Sequence, residues 1–313
     1  MKPRILLIGK NGQVGRELNR IFADTSELRA LGREELDLTE PACVRKAIRE
    51  FRPNVIVNAA AYTAVDRAES EEVLARSINA DAPAAMAEEA TRIGAALVHY
   101  STDYVFDGSK NTPYAENDPT NPLSVYGRTK LAGEDAICQI GGRYLIFRTE
   151  WVYATQGKNF LLTILRLATE REELRIVSDQ TGAPTWSREI AAATVKIIGK
   201  EWQRAENEEF LAARSGTYHL TAAGQTSWFG FACAIVEYVR RCSDRPAWLA
   251  AAIGGKPVIL RRISPIATKD YPTPARRPAY SVLSSALLAQ TFGVKLPDWR
   301  IQLETAMAPQ EGE

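Results

Sequence analysis

The sequence predicts an α/β protein built on a doubly wound parallel sheet, with a second, smaller α/β domain over the open edge of that sheet. Three observations support this fold class. Short apolar, β-leaning runs alternate with segments of helical spacing through the first half of the chain. A glycine-rich turn joins the first strand to the first helix. Beyond about Thr149, prolines and aromatic residues interrupt the sequence more often, which indicates a change of domain.

Length and composition restrict the possible functions. The chain has 313 residues, which is more than one core usually serves, so two domains are expected. It is 45% hydrophobic and 25% charged, as is ordinary for a soluble globular protein. With 39 basic and 38 acidic side chains the net charge is +1, which argues against nucleic acid or a membrane surface as the main partner. No apolar run approaches the roughly 20 residues that span a bilayer.

The cysteines and the N-terminus favour a cytoplasmic location. Residues 1–8 contain a short apolar run without a small-residue cleavage site, so no signal peptide is expected. His99 and His219 lie inside strand-like runs and are expected to be core residues rather than ligands. No C-x-x-C pair occurs, so we expect reduced thiols and no metal. The cysteines are Cys43, Cys138, Cys233 and Cys242.

The predicted elements and domains follow the hydrophobic pattern. Strands are expected at residues 4–8, 27–31, 54–57, 95–100, 144–147 and 174–177, with a further short strand at 218–220 in the second domain. Helices are expected at residues 16–23, 39–50, 66–90, 123–138, 160–170, 188–199 and 228–241. Residues 1–148 and 170–190 are assigned to a dinucleotide-binding domain, and residues 149–169 and 191–308 to a substrate-binding domain.

The turn after the first strand predicts a nucleotide site. Its glycines form G-x-x-G-x-x-G between a strand and a helix, which permits a tight turn and a close approach of the backbone. The N–H groups at the helix start and the helix dipole suit a pyrophosphate. A tight βα turn without a ligand is the alternative. The candidate cofactor contacts here are Gly9, Lys10, Asn11, Gly12, Gln13, Val14 and Gly15.

The end of the second strand bears on the choice of cofactor. An acidic residue there usually binds the adenine ribose, whereas an arginine tolerates a 2′-phosphate. Here Leu31 is followed by Gly32 and Arg33, so we predict a preference for NADPH, with NADH possible. The alternative is a solvated Arg33 with Glu34 or Asp37 serving the ribose. Further candidate cofactor contacts are Gly32, Arg33, Asp37, Leu38, Ala59, Ala60, Ala61, Thr63 and Asn79.

Tyr126 and Lys130 are the candidate catalytic pair. They lie four residues apart on a predicted helix and therefore share a face. A cation beside a phenol lowers a pKa that is about 10 when unperturbed. A hydroxyl of Ser101 or Thr102, at the mouth of the preceding strand, can hold a substrate oxygen nearby. Of the 11 tyrosines only Tyr126 has a lysine four residues later, although a surface lysine beside a half-buried tyrosine is the simpler alternative.

Four segments are expected to meet in one crevice. Residues 9–15, 58–61, 101–103 and 148–151 each follow a predicted strand, and ligands of doubly wound sheets bind beyond the carboxyl ends of the strands. In the second domain, Arg276 or Arg277 is a candidate clamp for an anionic substrate. A plain solvated loop explains these two cations equally well.

Seven runs together cover most parts of the chain, namely residues 9–15, 55–66, 99–106, 125–134, 147–153, 179–185 and 271–278. With these runs nearly the whole chain resembles the extended short-chain dehydrogenase/reductases and, within them, the dTDP-4-dehydrorhamnose reductase family. The first and fourth runs belong to the wider superfamily. The second, third, sixth and seventh together point to the rhamnose enzymes.

The resemblance implies a Rossmann-type sheet and NADPH-dependent reduction of the C4 keto group of dTDP-4-dehydro-L-rhamnose in dTDP-L-rhamnose synthesis. Tyr126 would protonate the C4 oxygen, Lys130 would lower the tyrosine pKa and bind the nicotinamide ribose, and Thr102 would hydrogen-bond the keto oxygen. Trp151 would contact both cofactor and sugar. The implied contacts of the dTDP-linked substrate are Val65, Thr102, Asp103, Tyr104, Phe106, Tyr126, Trp151, Asn159, Gln180 and Arg277.

Two other functions and two oligomeric states stay open. The chain is alternatively a nucleotide-sugar epimerase or dehydratase, or a non-catalytic regulatory subunit that binds NADP. It is expected to be a monomer or a homodimer. Some relatives are thought to dimerise through a metal held by glutamates, and Glu17 and Glu189 match two such positions. Arg300 occupies the third, and a cation there argues against a metal-bridged dimer.

Overall fold

The computed structural model describes residues 2–204, 211, 213–242 and 246–308. Its strands are β1 Arg4–Ile8, β2 Glu27–Leu31, β3 Val55–Asn58, β4 Ala96–Thr102, β5 Arg143–Thr149, β6 Val152–Tyr153, β7 Glu173–Val177, β8 Thr181–Gly182, β9 Thr185–Trp186, β10 Gly216–His219, β11 Thr226–Ser227 and β12 Arg262–Ile266. Its helices are α1 Gln13–Thr25, α2 Pro41–Phe51, α3 Val65–Ala68, α4 Glu72–Arg76, α5 Ala82–Ile93, α6 Val125–Ile140, α7 Phe160–Glu170, α8 Ser187–Arg204, α9 Trp228–Arg241, α10 Ala247–Ala252, α11 Ala286–Phe292 and α12 Trp299–Met307.

A six-stranded, wholly parallel sheet forms the centre of the fold, in the order β2-β1-β3-β4-β5-β10. From β1 the chain passes first to β2 on one side and then to β3, β4 and β5 on the other, so the switch point lies between β1 and β3. Ile8 is beside both Leu31 and Asn58, and Thr102 is beside Thr149, so the carboxyl ends of the strands form one edge. The predicted doubly wound fold is confirmed.

One predicted strand lies in another sheet. Residues 174–177 were expected to be the sixth strand of this succession, but β7 pairs with β12 in a separate two-stranded sheet. The sixth place is taken by β10, which lies beside β5 and includes most of the strand expected at 218–220 in the second domain. An apolar run indicates a strand without indicating its partner, since the partner is set by packing that is distant in sequence.

Helices cover both faces of the central sheet, as a buried parallel sheet requires. On one face α1 and α8 pack through Leu18, Phe22, Ile190 and Ile197, which are at most 1% exposed. On the other face α2 and α5 pack against β1, β3 and β4 through Val44, Ile48 and Met86. A second core contains residues of β7, α7, α9, α10 and α12. The domain boundaries at 148, 170 and 190 stay a prediction.

Two further findings concern the helices and the cysteines of the described residues. Within the described ranges, every helix is too short or too polar to cross a bilayer. The four cysteines, which all lie in the described residues, form no disulfide bond.

Candidate active site

The glycine turn between β1 and α1 is tightly packed against its neighbours. Gly9 has φ +90°, and a Cβ there would lie 2.6 Å from the Ala60 nitrogen. A Cβ on Gly15 would lie 2.0 Å from the Gly9 oxygen, so a side chain is excluded at both positions. Gly12 precedes α1 without a side-chain cap, which leaves the first N–H groups of the helix for a ligand.

A cavity of about 940 Å³ runs from this turn along the carboxyl ends of the strands. Most of the predicted cofactor contacts line it, although they come from distant parts of the chain. They are Gly9, Asn11, Gly12, Gln13, Val14, Gly32, Arg33, Asp37, Leu38, Ala59, Ala60, Ala61, Thr63, Tyr126 and Lys130. The cavity follows the edge at which doubly wound sheets bind their ligands, and it lies beside the switch point.

Cationic side chains outnumber carboxylates in the lining of this cavity. The cations are Arg16, Arg20, Arg33, Arg67, Lys130, Lys158 and Arg188, and the carboxylates are Glu17, Asp37 and Glu71. Ion pairs join Arg67 to Glu71 at 2.5 Å and Arg188 to Glu17 at 3.3 Å. The remaining positive charge suits an anionic ligand such as a dinucleotide.

The surroundings of Gly32 contain a carboxylate that sequence reasoning missed. Glu35 accepts a hydrogen bond from the Gly32 nitrogen at 2.7 Å and pairs with Lys10. The Lys10 ammonium holds the pKa of Glu35 below its usual value. Lys10 therefore points at Glu35 and is outside the cavity lining, and its backbone N–H donates to the Leu31 oxygen.

Asn79 does not line the cavity that it was predicted to contact. It is fully buried, and its amide bonds both backbone groups of Tyr62, at 2.8 Å to the nitrogen and 3.1 Å to the oxygen. It also donates to the Thr129 hydroxyl at 3.1 Å. Asn79 therefore holds the loop around Tyr62, which lines the cavity, against α6. Gly15, inside α1, likewise supports the turn from behind.

The predicted catalytic residues meet at the junction of β4 and α6. Ser124 caps α6, since its hydroxyl accepts from the Gly127 nitrogen at 3.2 Å, so Tyr126 and Lys130 fall in the first two turns. Lys130 is 1% exposed and Thr102, at the end of β4, is 4% exposed. The Thr102 hydroxyl donates to Asp103 at 2.9 Å and accepts from the Tyr104 nitrogen at 3.2 Å.

The pKa of Tyr126 is shifted in the direction opposite to the one expected. Burial raises the pKa of this phenol to about 12, the Thr102 hydroxyl opposes the rise, and the charge of Asp103 adds to it. Lys130 does not reverse the shift, because its ammonium donates to the Tyr100 oxygen at 2.6 Å and lies 3.1 Å from a nitrogen of His99. Tyr126 therefore keeps its proton at neutral pH.

Asp103, which follows Thr102 at the end of β4, is a buried carboxylate next to the candidate catalytic residues. Asp103 is 2% exposed, and burial raises its pKa to about 6. Tyr104 packs edge-to-face on Tyr126, with ring centroids 5.6 Å apart. Arg277 donates to Asp66 at 2.9 Å, which brings the segment around residue 277 beside Val65.

Of the predicted substrate contacts, only Tyr126 belongs to the cavity lining. Phe106 is fully buried and stacks on Tyr114 at 4.2 Å, so it is a core residue here. Asn159 caps α7 and donates to the Ala154 oxygen at 2.8 Å, which shapes the loop along the cavity. Gln180 is 6% exposed and donates to the Thr268 hydroxyl.

Trp151 lies outside the cavity lining. Its backbone conformation is strained. Trp151 has φ +45° and stacks on Trp228 with centroids 3.5 Å apart and planes 4° apart. A Cβ on Gly182 would lie 2.5 Å from its indole ring. A non-glycine residue with positive φ persists only where its surroundings hold it, and this stack holds Trp151 next to the end of β5.

Sequence reasoning missed some residues that the fold brings to the site. His99 was predicted to be a core residue, and it is fully buried, but it also contacts Lys130 and Asn58. Its place two residues before Ser101 in a strand that ends at the site was the available signal. The loop 154–158 lines the cavity and carries no motif that marks it, whereas Tyr62 also lines the cavity and falls in the run 55–66 but was given no role.

Glu17, one of the two glutamates that match metal positions of some relatives, forms ion pairs. Glu17 pairs with Arg20 and Arg188 at 3.2 and 3.3 Å. In residues 2–204, 211, 213–242 and 246–308, no group of three or more His, Cys, Asp or Glu side chains is arranged to hold a metal ion. Whether the chain is a monomer or a homodimer stays a prediction.

Comparison with known proteins gives one consistent family. The family model described as "RmlD substrate binding domain" matches residues 1–311. The dTDP-4-dehydrorhamnose reductase of Burkholderia thailandensis is 50% identical over 297 residues, which cover 95% of each chain. The enzyme of that name from Escherichia coli K12 is 44% identical over 301 residues, covering 95% of this chain and 94% of the other.

A solved structure agrees with the sequence relatives. The crystal structure of dTDP-4-dehydrorhamnose reductase from Bacillus anthracis, in complex with NADP, has a TM-score of 0.85 and 33% sequence identity, and the match covers 97% of this chain and 98% of that one. Family model, sequence relatives and solved structure all span nearly the whole chain. The resemblance drawn from the motifs is thereby confirmed, and the chain belongs to the dTDP-4-dehydrorhamnose reductase family.

Proposed function

We propose that this chain reduces the C4 keto group of dTDP-4-dehydro-L-rhamnose with NADPH and so forms dTDP-L-rhamnose. The observation that carries the proposal is that one cavity joins the glycine turn at Gly9 to Tyr126 and Lys130. A dinucleotide lying on the turn places its nicotinamide toward the catalytic pair at the other end. Four cysteines without a disulfide bond support a reducing, cytoplasmic setting.

The protonation state of Tyr126 fits the direction of the reaction. NADPH, when bound, supplies the hydride that reduces the ketone. As the carbonyl oxygen becomes an alkoxide, it needs a proton, and a phenol with a pKa of about 12 still holds one at neutral pH. A fixed donor next to the developing oxyanion acts mainly in the transition state. We expect Thr102, whose side chain interacts with Tyr126, to turn its hydroxyl from Asp103 to the same oxygen and donate to it.

The sugar is expected to bind against Asp103 and Arg277. The Ser281 hydroxyl lies close enough to Asp103 to oppose the rise of its pKa, and we expect the buried second carboxylate oxygen to accept also from a sugar hydroxyl. Arg277 is 21% exposed along its side chain and is already tethered to Asp66, which orders it for an anionic group of the substrate. Val65, Trp151, Asn159 and Gln180 stay proposed contacts or supports of this region.

An absorbance assay at 340 nm tests the proposed function. Purified protein with dTDP-4-dehydro-L-rhamnose is expected to oxidise NADPH and to yield dTDP-L-rhamnose, identified by mass spectrometry. Absence of turnover with a verified substrate would reject the proposal. Conversion of a nucleotide sugar without net NADPH use would indicate an epimerase or dehydratase instead. Tight NADPH binding without any turnover would indicate a regulatory subunit.

Arg33 provides a test of cofactor choice. It lines the cavity after β2, within electrostatic reach of Asp37. Arg33→Ala is expected to raise the KM for NADPH about tenfold, or ~1.4 kcal/mol, and to change the KM for NADH little, since only NADPH has the 2′-phosphate. Arg29→Ala, which removes an exposed guanidinium paired with Glu50 outside the cavity, is the control. An equal rise for both cofactors would contradict this role.

A further inference from the structure

A buried chain of polar groups connects the cavity loop to Lys130. Asn58 and His99 are fully buried, and Lys130 is 1% exposed. The Ala60 nitrogen lies 3.2 Å from Asn58 Oδ1, and Asn58 Nδ2 lies 3.0 Å from His99 Nδ1. His99 Nε2 lies 3.1 Å from Lys130 Nζ, which lies 2.6 Å from the Tyr100 oxygen. These contacts join β3, β4 and α6.

The direction of each hydrogen bond in this series follows from the backbone N–H of Ala60 at one end of it. The Ala60 N–H can only donate, so Asn58 turns its carbonyl toward Ala60 and its amide NH₂ toward His99. His99 Nδ1 therefore accepts. Burial keeps the pKa of His99 well below its usual value, so the ring is neutral and its single proton is on Nε2.

This arrangement opposes a charge on Lys130. An ammonium has three donors and no acceptor, so the ammonium and the Nε2–H would face each other as two donors 3.1 Å apart. A neutral amine has a lone pair that accepts from Nε2–H. The other tautomer of His99 would relieve the conflict at Lys130, but it would point Nδ1–H at the Asn58 NH₂. A flipped Asn58 would then oppose the Ala60 N–H.

We propose that His99, oriented by Asn58, is a positioning residue that disfavours the charged form of Lys130. The inference deepens the proposed function and rests on it for its catalytic meaning, since Lys130 is there part of the proposed catalytic pair with Tyr126. The inference assigns a role in the active site to Asn58 and His99, and His99 was predicted to be a core residue.

The other groups around Lys130 do not remove this effect. On α6 they are Tyr126, which is protonated, and Glu134, whose charge raises the pKa of Lys130. On β5, Arg148 binds Glu134 at 2.6 Å and so uses that carboxylate. Burial is the largest influence, and it lowers the pKa of Lys130 to about 8. The ammonium form is therefore lost as the pH rises through about 8, and activity that needs it falls over the same range.

Asn58→Asp is the sharpest variant. The new carboxylate accepts both from Ala60 N–H and from His99 Nδ1–H, so Nε2 becomes an acceptor and favours the ammonium. His99→Gln is a second variant, because its side-chain carbonyl can accept from the ammonium. Competitive acetylation at a series of pH values, read by mass spectrometry, measures the amine fraction of Lys130 without turnover. Lys46, with a side chain 74% exposed, is the internal reference.

Both variants are expected to raise the labelling pKa of Lys130 by about one unit or more and to move the alkaline limb of NADPH oxidation upward by the same amount. His219→Gln removes the other fully buried imidazole and is expected to leave the labelling pKa unchanged. An unchanged or lower labelling pKa of Lys130 in a folded Asn58→Asp protein would overturn the proposal. If the Asn58→Asp protein does not fold, the same result in the His99→Gln protein would overturn it. Lack of turnover in the unmodified protein would reject the proposed function and leave the labelling result to decide this inference.

Discussion

Tyr126→Phe is expected to lower kcat for reduction of the keto sugar by about two orders of magnitude or more, the usual range for loss of a general acid. The substitution removes only the hydroxyl and keeps the ring that packs edge-to-face on Tyr104 at 5.6 Å. Because the phenol acts on the alkoxide that develops in the transition state, kcat and kcat/KM are expected to fall together. Steady-state kinetics with both substrates varied give the measurement.

Tyr114→Phe is the matched control for this loss. Tyr114 is 2% exposed, and its hydroxyl donates to Asp107 at 3.2 Å, away from the cavity lining. The change is expected to leave kcat within about twofold. The dissociation constant for NADPH, measured by fluorescence titration, is expected to be similar in all three proteins. A Tyr126→Phe enzyme with nearly full kcat would show that the phenol takes no part in the reaction.

Glu134→Gln is expected to destabilise the fold by about 3–5 kcal/mol, because it leaves a buried guanidinium without its counter-charge. Glu134 and Arg148 are 3% and 5% exposed and form a bidentate pair, with contacts of 2.6 to 3.1 Å. The pair ties α6, which carries Tyr126 and Lys130, to β5. Equilibrium unfolding in urea gives the free energy of unfolding directly.

Glu170→Gln is the control for that prediction. Its pair with Arg166 is as short, at 2.7 Å, but the two side chains are 40% and 56% exposed. Solvent screens such a pair, so the expected change is within about 0.5 kcal/mol. If both variants lost the same small amount of stability, the buried pair would not anchor α6 as described.

The sequence predicted those features of the site that depend on local spacing. Gly9 and Gly15 have to be glycine because backbone atoms lie within 3 Å of where a Cβ would be, and such a turn is visible as a motif. The spacing of Tyr126 and Lys130 fixes a shared helix face. The four segments that follow strands converge because parallel strands share one carboxyl edge.

Features set by tertiary packing were not predictable in the same way. The apolar run at 174–177 is a strand, but its partner is β12 and not the central sheet. The expected fall in the pKa of Tyr126 ignored burial, which is the larger effect here. His99 looks like any buried strand residue until the fold places its ring against Lys130.

The most direct test of the proposed activity uses NADPH carrying two deuterium atoms at C4 of the nicotinamide. If the sugar ketone receives a hydride beside Tyr126, the dTDP-L-rhamnose product gains one deuterium at sugar C4, and Tyr126→Phe slows its appearance about a hundredfold or more. A product without deuterium at C4, or equal rates in the two proteins, would contradict the account.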